Sequence, residues 1–152
     1  MKKIHYILFF LLCQLPQLNA QDFRFALITD IHIADNTSAA EDLKNSIEQI
    51  NATPNLDFVL VTGDISENGD RKSLQIAHDL LSQLKIRYYI IPGNHETKWS
   101  ESGVTAFSQL FGSERFTFEH KGFLFLSFNS GPLMRMADGH VAPQDITWLK
   151  KE

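Results

Sequence analysis

A chain of 152 residues, 43% hydrophobic and 21% charged, has the make-up of one ordinary globular domain rather than of a fibrous or disordered protein. Its formal net charge of -4 argues against a nucleic-acid backbone as the main partner, and its single cysteine, Cys13, excludes a disulfide framework.

The first twenty residues read as an export signal: Lys2 and Lys3 form a basic start, Ile7 to Leu12 an apolar run, and Leu18-Asn19-Ala20 a cleavage site before Gln21. The organisation expected is therefore a signal peptide over 1–20 and one domain over 21–152, located in the periplasm or outside the cell. Gln14, Pro16, Gln17 and Asn19 interrupt the apolar stretch, which falls short of the ~20 residues that span a bilayer, so no stable membrane span is expected. Cys13 follows Leu12, where a lipid-anchoring signal carries a small residue. Cleavage removes two lysines, no acid and the one cysteine, which takes the net charge from -4 to -6 and leaves no thiol chemistry.

Phe23 to Thr29 is a short, mostly apolar run that predicts a strand, with Asp30-Ile31-His32 at its end. Ser38-Ala39-Ala40-Glu41 has capping-box spacing, and Leu43, Ile47 and Ile50 recur at helical intervals up to Pro54. Phe58 to Thr62 is an unbroken β-favouring run that delivers Gly63-Asp64. After the polar stretch Ser66 to Asp70, Leu74, Ala77, Leu81 and Leu84 share one helical face. Arg87 to Ile91 predicts a third strand, stopped by Pro92-Gly93, with Asn94-His95-Glu96 beyond it.

The order β-α-β-α-β predicts a parallel sheet with helices packed on it, and ligands gather outside the carboxyl ends of such strands. All three polar clusters fall there. Further on, Val104, Phe107, Leu110 and Phe111 predict a short helix after Ser102. Phe116 to Glu119 and Phe123 to Phe128 predict two strands joined at Lys121-Gly122, and Pro143 opens a last helix with Ile146, Trp148 and Leu149.

Asp30-x-His32, Gly63-Asp64 and Gly93-Asn94-His95-Glu96, each after a predicted strand, resemble the calcineurin-like phosphoesterases in order and spacing, from about Phe23 to Glu152. Singly, each aspartate reads more readily as a helix-capping or turn residue, and Gly93-Asn94 as a turn. A phosphate ester repels hydroxide, and a pair of metal ions ~4 Å apart answers this by activating water and neutralising charge. Carboxylate, imidazole and amide oxygen suit Mn, Fe or Zn.

The resemblance implies an α/β fold: a partial calcineurin-like α/β/β/α sandwich, its parallel core followed by a hairpin and a truncated helix. It also implies two divalent metal ions and a phosphate mono- or diester substrate. Asp30 and His32 would bind the first ion, Asp64 would bridge both, and Asn94 would bind the second. His95 would face the phosphoryl group and Glu96 would orient His95.

In the family a second sheet, an isolated metal-binding histidine and a Gly-His-x-His pair follow later, beyond Glu152. The expectation is an exported phosphoesterase with an impaired binuclear centre. The alternative is a non-catalytic fragment that binds metal or phosphate weakly or pairs with a separate half. A sandwich cut midway exposes an apolar sheet face, which predicts self-association through it. His140, His78 and His120 are expected to be solvated rather than ligands.

Overall fold

Val59 and Val61 have neighbours on one side of the sheet and Phe58 on the other, so the second strand is buried on both faces. This is why its sequence is a continuous apolar run rather than an alternating one. A computed structural model describes residues 22–132, 136 and 138–152. The export segment and its cleavage site before Gln21 lie outside the described residues.

The elements are β1 (Phe25–Ile28), α1 (Ala39–Ala52), β2 (Phe58–Thr62), α2 (Arg71–Leu81) and β3 (Tyr88–Ile91). A π-helical turn (His95–Trp99), α3 (Thr105–Phe111), β4 (Arg115–His120), β5 (Phe123–Phe128) and α4 (Pro143–Lys151) complete them. The first three strands form a parallel sheet in the order β1-β2-β3, with Val59 opposite Ala26 and Tyr88, while β4 and β5 pair antiparallel in a separate sheet. No described helix is long and apolar enough to cross a membrane.

The helices cover one face of the parallel sheet. Leu43 and Ile47 of α1, Leu74, Ala77 and Leu81 of α2, and Ala106 and Phe107 of α3 close over Val59, Val61 and Ile90. The β4-β5 hairpin covers the other face. Phe58 meets the rings of Phe118 and Phe125 at 5.3 Å, and Tyr89 stacks on Phe118 at 3.6 Å. The cover is incomplete, since Phe25 and Leu27 of β1 stay exposed; Phe123, Leu124 and Leu126 of the hairpin strand β5 are exposed as well.

Two expectations are corrected here. The capping box at Ser38 does not form. Ser38 has helical angles (φ -81°, ψ -5°), which turn its hydroxyl away from the helix N–H groups, and it donates instead to the Asp42 carboxylate at 2.7 Å. The side-chain cap occurs on α2, where extended Asp70 accepts from the Ser73 N–H at 2.9 Å.

His120 is not a solvated turn residue. The turn is the two-residue pair Lys121 (φ 47°) and Gly122 (φ 83°), which leaves His120 as the last residue of β4, opposite Phe123. Its ring packs edge-on to Phe58 at 5.2 Å, and its Nε2 lies 3.1 Å from the Asp57 carboxylate. The same carboxylate takes the Lys121 ammonium at 2.8 Å and the Arg24 N–H at 2.9 Å, which ties the hairpin to the base of the sheet. His78 is half-buried with its ring 5.6 Å from that of Phe111, whereas His140 sits exposed in a surface loop as expected.

Candidate metal centre

The parallel pairing of β1 with β2 continues past the ends of both strands. Asp30 N–H donates to the Gly63 carbonyl at 3.2 Å, His32 N–H to Asp64 at 3.0 Å, and Ile33 N–H to Ile65 at 3.0 Å. This holds the Asp30-His32 and Gly63-Asp64 segments side by side on the carboxyl edge of the sheet.

Asp30 (φ 54°), His32 (φ 53°) and Asp64 (φ 48°) all lie in the left-handed region. Each such residue costs about 1–2 kcal/mol in backbone energy, so three together are held by their surroundings rather than by preference. A buried carboxylate supplies part of that hold. Glu96 is fully buried and accepts from the N–H groups of Ile65 and Ser66, each at 3.0 Å, and of Gly93 at 2.8 Å. One side chain thereby joins the loops after β2 and β3.

Glycine is required where those loops meet. A Cβ on Gly63, whose φ is +96°, would stand 2.5 Å from the Gly93 Cα, and one on Gly93 would strike the Asp64 carboxylate.

His32, Asp64 and His95 each bring one ligand atom to within 4.8 Å of the other two. Donors bonded tetrahedrally to one ion at about 2.1 Å stand about 3.4 Å apart, so sharing an ion would draw the three side chains together by up to about an ångström. The two imidazoles meet edge to face at 4.6 Å. Asp64 Oδ1 accepts from the His95 N–H at 3.1 Å.

His95 Nδ1 hydrogen bonds to the Glu67 carbonyl, which only accepts. That bond fixes the proton on Nδ1 and leaves Nε2 free to bind a metal or carry a proton. His32 Nδ1 is buried, 3.0 Å from the Glu67 carboxylate but without hydrogen-bond alignment. A proton on Nδ1 suits that carboxylate and leaves the lone pair of Nε2, on the Asp30 side, as the metal donor.

Asp30 stands at the rim, its carboxylate 3.8 Å from His32 Nε2 and accepting from the Thr29 hydroxyl at 2.5 Å. Asn94 opens the π-helical turn that carries His95. The structure thus brings together His32, Asp64 and His95, with Asp30 beside His32 and Asn94 next to His95 in the chain. His95 lies close enough to His32 and Asp64 to be a ligand or to face a bound phosphoryl group beside them. The carboxylate of Glu96 reaches the backbone of the two loops and not the imidazole of His95, so it positions that residue through the main chain.

Glu67 went unnoticed in the sequence, where it was one residue of a polar stretch. Its place three residues after Asp64 was the available signal, because continued pairing with β1 carries it back to the site through Glu67 N–H to the Ile33 carbonyl at 3.1 Å.

A sequence-family profile described as calcineurin-like phosphoesterase matches residues 23–149. Among curated proteins, the chain is similar to a 3',5'-cyclic-nucleotide phosphodiesterase of Nostoc sp., 27% identical over 135 residues, which covers 84% of this chain and 50% of the relative. It is 36% identical over 76 residues to a protein of Vesicomyosocius okutanii named "Probable cyclic nucleotide phosphodiesterase", covering 47% of this chain and 32% of that one. A protein of Arcobacter nitrofigilis named as a probable glycerophosphodiester phosphodiesterase is 32% identical over 77 residues, 45% of this chain and 28% of its own length. The chain thus spans about half the length of these relatives or less.

Proposed function

The chain belongs to the calcineurin-like phosphoesterases, and from that membership we propose that it carries the leading half of a metal-dependent centre that hydrolyses a phosphodiester. The observation that carries the reading is the convergence of His32, Asp64 and His95 on the carboxyl edge of the parallel sheet. The names of the relatives favour a diester, and a cyclic nucleotide within that class, over a monoester.

In this reading Asp30, His32 and Asp64 would hold one divalent ion, and Asp64 and Asn94 would be the residues available to a second. Bound Mn, Fe or Zn would supply positive charge at the phosphoryl oxygens and lower the pKa of water. His95, with its proton fixed on Nδ1, presents Nε2 to the phosphoryl or leaving oxygen, where it holds or delivers a proton. Glu96 keeps the loops after β2 and β3 at the separation the site requires. Binding without turnover is the second reading, favoured by the sparse second position, for which Asp64 and Asn94 are the donors named.

The test is hydrolysis of bis-nitrophenyl phosphate and of a 3',5'-cyclic nucleotide by the purified chain with Mn²⁺, beside Asp64→Asn, with Mn²⁺ binding followed by calorimetry. Loss of metal binding and a fall in turnover of roughly 100-fold or more in the variant is the expected result. Metal binding that depends on Asp64 without turnover selects the second reading. Unchanged metal binding in Asp64→Asn removes both.

A further inference from the structure

Trp99 closes the π-helical turn that begins at His95, and it is 56% exposed although indole is the largest apolar side chain. Its ring centroid lies 6.4 Å from that of His95, at an interplanar angle of 55°. The Lys98 ammonium sits 4.6 Å from the ring centroid. The indole itself lines a groove of about 650 Å³ together with Asn68, Arg71, Glu101 and Gln109. Trp99 is thus an exposed aromatic surface that neighbours His95 on one side and lines a groove carrying amide, carboxylate and guanidinium groups on the other.

We propose that Trp99 is the stacking platform for a planar aromatic substituent of the ester, a nucleobase, with the polar edge of the base directed into the Asn68, Arg71 and Gln109 groove. Any base presents a π-face to indole, so the platform selects nucleoside esters over alkyl esters without choosing among bases. Amide and guanidinium groups then complement the ring nitrogens and exocyclic groups at the base edge. This inference rests on the phosphodiester reading of the metal site, because that reading fixes where the phosphoryl group lies.

The chain has two tryptophans, Trp99 and Trp148, so Trp148→Phe makes Trp99 the sole indole reporter. In Mn²⁺, adenosine 5'-monophosphate and ribose 5-phosphate differ by the base alone. The expected result is that the adenosine nucleotide quenches Trp99 fluorescence and binds about ten-fold more tightly than ribose 5-phosphate. Calorimetry on Trp99→Ala, made with Trp148 intact, should show that preference abolished with ribose 5-phosphate affinity unchanged, and Trp99→Phe should retain most of it.

Equal affinities in the unsubstituted chain, or a preference that survives Trp99→Ala, overturn the platform. If ribose 5-phosphate binding is nonetheless metal-dependent and lost in Asp64→Asn, the phosphodiester reading stands while the platform falls. If neither ligand binds, or if binding ignores Asp64→Asn, the phosphodiester reading falls and takes the platform with it.

Discussion

At the scale of single residues, the site is built from side chains and backbone conformations that are poor choices in isolation. Two aspartates and a histidine adopt left-handed angles, and a glutamate is buried without a cationic partner among the contacts it makes. Glu96 offsets these costs by accepting from three backbone N–H groups in two loops. In Glu96→Gln the amide has one oxygen, so its NH₂ must face either Gly93 N–H or the Ile65 and Ser66 pair, and at least one buried donor loses its partner. Leaving such a group unsatisfied costs about 1–3 kcal/mol, and we expect the urea midpoint to fall accordingly. An unchanged midpoint would show that the loops hold their separation without this carboxylate.

Residue identities announced Asp30, His32, Asp64 and His95, because their spacing after apolar runs is visible in one dimension. The roles of Glu96 and Glu67 were not visible: both act through hydrogen bonds with partners some thirty residues away, or across a loop, as the 31-residue separation of Ile65 and Glu96 illustrates.

At the scale of elements, periodicity carried most of the information. The 3.6-residue spacing of Leu43 and Ile47, and of Leu74, Ala77 and Leu81, marks the faces that are buried. It failed where the outcome depends on local conformation. Ser38 has the spacing of a capping box but helical angles, and His120 belongs to β4 only because Lys121-Gly122 suffices for the turn.

The Asp57 clasp is the element-scale consequence. The Lys121 ammonium, then the Arg24 N–H, and lastly His120 hold the Asp57 carboxyl at a pKa of about 2, below its ordinary value of 3.8. A depressed carboxylate contributes stability above its unfolded pKa and loses it as pH falls through the folded one. Docking of the β4-β5 hairpin should therefore be strongest above about pH 4 and weaken between pH 4 and pH 2. Hydrogen exchange of residues 115–128 tests this. In Asp57→Asn those amides should already exchange faster at pH 7, with the difference from the unsubstituted chain vanishing near pH 2. Equal protection at pH 7 would remove the clasp.

At the scale of the whole molecule, the asymmetry lies between the two faces of the parallel sheet. The helical face is closed, with Phe107, Leu74 and Val59 essentially inaccessible. The hairpin covers the centre of the opposite face at Phe58 and Tyr89 but leaves Leu27 59% exposed and Phe25 exposed, and the hairpin's own Leu124 (47%) and Leu126 are exposed too. Leu27 belongs to the edge strand β1, which pairs on one side only among the described residues, and Leu124 to the hairpin strand β5. Apolar surface beside an unpaired edge favours association, because burying it releases water while the edge N–H and carbonyl groups gain partners. We expect the chain to self-associate with rising concentration in sedimentation velocity runs. Leu27→Lys combined with Leu124→Lys should weaken that association at least about ten-fold, since each lysine places a charge where apolar contact forms. The double variant should keep Mn²⁺ affinity, because neither residue belongs to the metal site on the carboxyl edge. Association that persists unchanged in the double variant would place the contact elsewhere on the surface, and a chain that stays monomeric at every concentration would show that the hairpin shields this face well enough on its own.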